Sequence, residues 1–283
     1  NQKNVVKEIL SKKIIKYNLK KNNYILDYDE NIIKYDDGKH IIELDKQRGL
    51  SLNSYGIIKN KQYYPYLTKF YQGYFNKDRL NVDFYSGHNV LENSKYKYSD
   101  LDNKEDIKIT RENNFIIFSN KFFIKNVVGI YKKWIFDTEN KKLYLHNKIK
   151  LQDIDFLSIR SNYFNLNSKI FDLKNLKVST KNGGPDTEIF SLKSSEDFFH
   201  DDPLSSKFTA QNSFGNTDGN INFYDNENHI NFKIFHQVGT CAPMINFSKD
   251  IKNLYFLRLL TSFKENNDVR SKFNNKSFQS LVS

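Results

Sequence analysis

Within ten residues, Arg79-Leu80-Asn81-Val82-Asp83-Phe84-Tyr85-Ser86-Gly87-His88 brings together a carboxylate, an amide, a phenol and an imidazole. Side chains of a strand alternate with period two, so Leu80, Val82 and Phe84 share one face and Asn81, Asp83 and Tyr85 the other. One face packs, and the other, with His88 delivered just past a glycine, suits hydrogen bonding to a polyhydroxylated ligand such as a sugar. The plainer reading is a polar strand face ending in a satisfied histidine.

Two turns add candidates. Lys181-Asn182-Gly183-Gly184-Pro185-Asp186-Thr187-Glu188 holds paired glycines and a proline that break any sheet, so a sharp turn there presents Asn182 and Glu188, or simply connects. In Asn216-Thr217-Asp218-Gly219, Asp218 either caps its own turn or faces a sugar or ion. Glycoside hydrolysis generally needs two carboxyl groups about 5 to 9.5 Å apart; Asp83 with Glu92, or Glu188 with Asp218, are the available pairs, and nothing in the spacing fixes their separation. Mutarotation needs an acid and a base across a ring, which His88 or His236 with Glu188 would supply.

Other chemistries find no support. There is no Gly-x-Ser-x-Gly elbow, phosphate-binding glycine loop, dinucleotide fingerprint or His-Glu-x-x-His helix, and no cofactor is expected. The histidines at 40, 88, 146, 200, 229 and 236 lack metal-ligand spacing, so no metal site is expected; His200-Asp201-Asp202 reads as a solvated acidic loop before Pro203. Cys241 reads as a small buried residue.

The elements that must position these groups are strands. Short apolar or alternating runs recur from Tyr24 onward, separated by polar breaks, as in a sandwich or barrel. Hairpin turns are expected at Asp36-Asp37-Gly38-Lys39, with positive φ at Asp37-Gly38, at Asp137–Lys141 and at Asp225–Asn228. Phe115–Ser119 and Phe122–Trp134 read as two strands, and Trp134 as core. Leu254–Ser262 is apolar on both faces and reads as a central strand, with Arg258 paired or reaching a cleft. Tyr63-Tyr64-Pro65-Tyr66 and Phe70-Tyr71-Gln72-Gly73-Tyr74-Phe75 lack strict alternation and read as aromatic loops. Val5, Val6, Ile9, Leu10 and Ile14 recur near helical spacing, so residues 1–22 form a linker or a short amphipathic helix, and residues 23–283 one domain. More than a dozen strands exceed an immunoglobulin-like sandwich and predict an all-β fold of two large antiparallel sheets, a supersandwich whose curl makes a groove.

Composition agrees. Of 283 residues 38% are hydrophobic and 15% aromatic, which predicts a core built on Phe and Tyr. The net charge of +11 is carried almost wholly by lysine scattered among asparagines. Arginine is the residue expected for bidentate phosphate and base contacts, so nucleic acid is not expected as a partner. No run is long enough to span a membrane. A lone cysteine suits a reducing compartment such as the cytoplasm without proving one. The chain starts at Asn1 rather than Met, as an excised part of a longer polypeptide would.

The order of four motifs resembles a known pattern. Leu44-Asp45-Lys46-Gln47-Arg48-Gly49-Leu50, Phe84-Tyr85-Ser86-Gly87-His88, Asn182-Gly183-Gly184 and Tyr255-Phe256-Leu257-Arg258-Leu259 are similar to the carboxy-terminal β-sandwich of glycoside hydrolases of the family 57 and family 38 type. In those enzymes a catalytic barrel precedes a galactose-mutarotase-like supersandwich. The resemblance implies a carbohydrate-associated accessory domain, with an oligo- or polysaccharide and an upstream catalytic domain of the same polypeptide as partners, and names no catalytic nucleophile here. Asp83, Tyr85, His88, Asn182, Glu188 and Asp218 are the expected carbohydrate-binding residues. The alternative is a stand-alone mutarotase-like epimerase or carbohydrate-cleaving enzyme using a His/carboxylate pair.

Overall fold

The strand Lys142–Leu151 shows how the sequence builds this molecule: Leu143, Leu145, Asn147 and Ile149 are buried on one face, while the other runs from the buried Tyr144 and His146 to the exposed Lys148 and Lys150. Its odd-numbered face lies on the main core, and Tyr144 joins Ile117, Ile135 and Leu281 in a smaller buried cluster on the other side. The computed structural model describes residues 25–28, 31–75, 80–92, 95–103, 107–124, 128–151, 158–167, 169–172, 175–181, 184–192, 198–200, 209–210, 213–215, 218–236, 242–247, 255–262 and 277–283. The expected segment 1–22 lies outside the described residues.

The first strands are β1 (Ile25–Tyr28), β2 (Ile32–Asp36), β3 (His40–Asp45), β4 (Ser51–Lys59), β5 (Gln62–Thr68), β6 (Phe70–Phe75), β7 (Leu80–Tyr85), β8 (Val90–Glu92) and β9 (Lys97–Ser99). A meander follows: β10 (Lys108–Glu112), β11 (Phe115–Ile124), β12 (Val128–Asp137) and β13 (Lys142–Leu151). Next come β14 (Ser158–Leu166), β15 (Lys177–Thr180), β16 (Glu188–Leu192), β17 (Phe198–His200), β18 (Thr209–Ala210) and β19 (Ser213–Gly215). The series closes with β20 (Asn220–Tyr224), β21 (His229–His236), β22 (Ala242–Phe247), β23 (Tyr255–Ser262) and β24 (Ser277–Val282).

These strands form two large antiparallel sheets and one hairpin, an all-β supersandwich. The first sheet runs β1-β2-β3-β4-β5-β14-β23-β22-β19, with β8 and β9 attached beside β14, and the second runs β10-β11-β12-β13-β24-β21-β20-β15-β16-β17-β18. Among the described residues β6 and β7 form a two-stranded sheet of their own. One continuous hydrophobic core joins the sheets: Ile33, Tyr35, Leu52 and Leu67 come from the first, Phe118, Trp134, Leu145 and Phe232 from the second. As expected, that core is aromatic-rich: Trp134 meets Phe164 edge-on at 6.2 Å, and Phe164 meets Phe232 at 5.1 Å.

The three hairpin turns stand where the sequence puts them. Gly38 has φ 78° between β2 and β3, Lys141 has φ 57° before β13, and Asp225–Asn228 joins β20 to β21. β23 lies between β14 and β22, central as its two apolar faces require. Two readings are corrected. The tyrosine-rich segments are strands β5 and β6, not loops: the ladder accommodates Pro65 by a register shift opposite Tyr55 and Gly56, and the bulge is what spoils the alternation. The supposed strand Phe122–Trp134 is the end of β11 and most of β12, which pair antiparallel from Phe115↔Asp137 to Ile124↔Val128.

Candidate functional site

Two of the expected residues are brought together at the corner between β7 and β8. Gly87, at φ 80°, turns the chain there because its Cα lies against the Trp134 ring, where a Cβ would stand 2.3 Å from Cζ2. This turn sets His88 edge-on to Tyr85 at 6.4 Å, with the Arg48 guanidinium 5.9 Å over the tyrosine ring. His88 is only 3% exposed, and its Nε2 lies 3.0 Å from Ser99 Oγ. Asp83 sits opposite Gln72 in the β6–β7 hairpin; its side chain, with those of Glu92, His200, His236 and Arg258, and the whole of Asn182, Asp201, Asp202 and Cys241, lies outside the described residues.

The corner leads into a buried polar network that the sequence reading missed. Ser99 Oγ accepts from Leu101 N and caps a 3-10 turn at Asp100–Asp102. The Asp100 carboxylate, 2% exposed, accepts from Asn89 N and Nδ2 at 2.9 and 2.6 Å and from Lys132 Nζ at 2.7 Å. Lys132 Nζ also donates to Gly49 O at 2.8 Å. Asn89 Nδ2 donates onward to Asn147 Oδ1, and Asn147 Nδ2 to Asn162 Oδ1, whose residue takes φ 58° inside β14. Burial pushes the Lys132 ammonium down from its ordinary value, and Asp100 opposes that push. The network ties the β8–β9 corner and β14 of the first sheet to β12 and β13 of the second. A signal existed: Ile130, Trp134 and Phe136 face the core, and the same period puts Lys132 beside them.

The second site lies on the face of the second sheet turned away from the core. Val178, Ile221, Phe223, Ile230 and Phe232 are buried in the core, so Ser179, Asn222, Tyr224, His229 and Asn231 point to the opposite side. There they line or adjoin an open groove of about 640 Å³. Asn222 organises it: Nδ2 donates to Ser179 Oγ at 3.2 Å, while Oδ1 accepts from Asn231 Nδ2 at 2.7 Å and meets His229 Nε2 at 3.2 Å. Tyr224 stands edge-on to His229 at 6.5 Å.

The Asp225–Asn228 turn walls one end of the groove. Burial works against the Asp225 carboxylate, yet the N–H groups of Glu227, Asp172 and Asn228 outweigh it and hold the carboxyl below the usual range. Asp225 is therefore an acceptor at neutral pH, not an acid. Thr187 lines the groove beside Glu188, and Glu188 sits opposite Thr180, which sits opposite Ile221. Asp218, exposed, caps the turn into β20 by accepting from Asn220 N at 2.9 Å. Glu188 is thus in phase with the buried Thr180 and Ile221, on the side of the sheet away from the groove, and both it and Asp218 belong to a different sheet from Tyr85 and His88. Among the described residues no group of three or more His, Cys, Asp or Glu could hold a metal ion, and no helix is long and apolar enough to cross a membrane.

No protein-family model and no curated protein matches the sequence. Solved structures do match the fold. The Slr1438 protein from Synechocystis sp. PCC 6803 has TM-score 0.50 at 10% identity, with 95% of this chain and 99% of that one covered. A 4-alpha-glucanotransferase from Thermococcus litoralis has TM-score 0.51 at 10% identity, with 93% and 39% covered. A TPR-domain containing protein from Parabacteroides distasonis has TM-score 0.51 at 8% identity, with 89% and 46% covered. At such identities the likeness is one of fold: a large antiparallel β-supersandwich, found alone in the first protein and as less than half of the other two.

Proposed function

We propose that the chain is a carbohydrate-associated β-supersandwich domain of the kind carried by glycoside hydrolases of families 57 and 38, and that it binds glycan in the groove on the outer face of the second sheet. The observation that carries this reading is the groove itself, an open shelf with a tyrosine ring, an imidazole and an organised amide and hydroxyl row. Rings of this kind stack on sugar faces, and such polar groups take hydroxyls. The glucanotransferase likeness supports it, since that protein contains the fold as a minor part of a larger chain. An upstream catalytic domain is the partner this implies. Thr187 and Ile189 bring the start of β16 to the groove, and Tyr85 and His88 stand apart from it at the corner between β7 and β8.

The test is glycan-array binding followed by calorimetry on each hit, for the wild type, Asn222→Ala with Tyr224→Ala, and Asp83→Ala with His88→Ala. Loss in the groove variant alone supports the assignment. Loss in the corner variant alone moves the site to β7 and β8, and turnover by the chain itself makes it a mutarotase-like or carbohydrate-cleaving enzyme instead.

A further inference from the structure

The outer face of β10–β13 carries a charge pattern that the groove does not use. Antiparallel partners that sit opposite each other share a face. Lys108↔Ser119, Ser119↔Lys133 and Lys133↔His146 therefore form one row across the four strands. The next row is Lys121↔Tyr131↔Lys148, and the next ends at Lys150, opposite Gly129. Strands lie about 5 Å apart, so Lys108 and Lys133, like Lys121 and Lys148, are spaced by about 10 Å.

Five lysines thus crowd one patch, four of them exposed and Lys133 half-buried. At about 10 Å, close to the Debye length at physiological salt, each pairwise repulsion is modest but adds over the patch. Lys34, Lys69, Lys132 and Lys141 each have a carboxylate partner; none of these five does among the described residues. On β10–β13 the outward carboxylates are Glu112 and Asp137, both in the row of Phe115: Glu112 partly offsets the burial that disfavours the Lys133 charge, without an ion pair, and Asp137 is engaged in its own turn.

His146 stands in the middle. It is 7% exposed, and neither ring nitrogen has a hydrogen-bond partner. Burial, with Lys133 and Lys148 beside it, drives the imidazole down to about 3, so it is neutral and carries one N–H with nothing to donate to. Phe123, 49% exposed, stands edge-on to Tyr131 at 5.4 Å, and Lys121 Nζ lies 5.8 Å from that tyrosine's centroid. A buried donor, a lattice of ammonium groups with no ion pair among the described residues and an exposed aromatic edge complement a ligand that has anionic groups on an apolar-faced ring.

We infer that this patch is a subsite for an acidic polysaccharide, whose carboxylate or sulfate groups lie among Lys121, Lys133 and Lys148 and whose sugar faces meet Phe123 and Tyr131. The inference rests on the carbohydrate reading above and names the ligand class. The groove opens on the same face of the same sheet, so one extended chain could engage both.

The experiment is calorimetric titration with oligogalacturonate and with neutral oligogalactan of equal length, at low and at physiological salt. The wild type is compared with Lys121→Gln, Lys133→Gln, Lys148→Gln; with a control of Lys39→Gln, Lys97→Gln, Lys169→Gln; and with Asn222→Ala, Tyr224→Ala. If each exposed ion contact contributes within the usual range, the patch triple weakens oligogalacturonate by about tenfold, the control by less than twofold, and salt weakens the wild type. His146→Phe weakens it without changing net charge at neutral pH. Lys121→Gln with Lys148→Gln serves should the Lys133 change impair folding. Oligogalacturonate binding no tighter than the neutral chain, or lost equally in the control, overturns the inference. So does equal binding of a single-stranded DNA of matched charge. Neutral glycan bound through the groove while the acidic one is ignored sinks this inference and leaves the groove assignment standing; no glycan bound at all sinks both.

Discussion

Replacing Lys132 with methionine is the sharpest test of how the two sheets are locked. The side chain is 1% exposed, its ammonium 2.7 Å from Asp100 Oδ2 and 2.8 Å from Gly49 O. Methionine fills most of the volume but leaves a buried carboxylate whose remaining partners are the two Asn89 donors, and a carbonyl without its donor. Removing one partner of a buried pair costs about 3–5 kcal/mol, whereas removing both charges costs far less. Lys132→Met should therefore lose about that much in urea unfolding at neutral pH, and Lys132→Met with Asp100→Asn should recover a large part of it. A loss below about 1 kcal/mol, or a double variant no better than the single, would refute the view that this pair is buried and mutually dependent.

Three further outcomes are expected. Gly87→Ala combines a left-handed φ with a Cβ driven into Trp134, so it should destabilise by at least about 2 kcal/mol; a melting point within a degree of wild type would contradict the turn geometry. The His146 imidazole, lowered to about 3, stays neutral in the fold while the unfolded chain protonates near 6.5, so its share of stability is lost as pH falls from about 6.5 to about 3; His146→Phe should flatten that part of the pH–stability curve. Burial raises the Asp37 carboxyl, but hydrogen bonds from His40, Lys141 and Lys39 overcome it and leave it far below the usual range. Its contribution is present above the unfolded value near 4 and lost in acid, and Asp37→Asn should remove that loss in an acid unfolding series.

Much of the fold was readable because alternation and turn chemistry are local. Asp37-Gly38 and the Asp137 and Asp225 turns announce hairpins by residue type, and each hairpin fixes a register that alternation then extends. Local signals failed where the sheet departs from regularity. Pro65 and the bulge beside Gly56 hid β5, and the two apolar runs flanking residues 125–127 blurred the turn between β11 and β12. Lys132 was hidden by expectation: a lysine in an apolar strand reads as solvent-facing, although its phase with Trp134 says otherwise.

The candidate faces were legible to the degree that their hairpins were. Once Tyr224 is paired with His229 across the Asp225 turn, Asn222 must face Asn231, and the amide shelf of the groove follows from the sequence with no further information. Attention to histidine after glycine and to broken turns passed over it, because a row of amides carries no motif; it becomes a site only when adjacent strands line it up. The lysine patch is harder. Lys108, Lys121, Lys133 and Lys148 fall into two rows only if the β11–β12 hairpin is recognised and its register is right to the residue, since a slip of one would send every second side chain to the core. Reading Phe122–Trp134 as one strand erased that hairpin and scattered the four lysines along the chain, where they look like background in a lysine-rich protein. Charge composition is blind to such rows: what separates a patch from bulk charge is two-dimensional register, and that information resides in the turns.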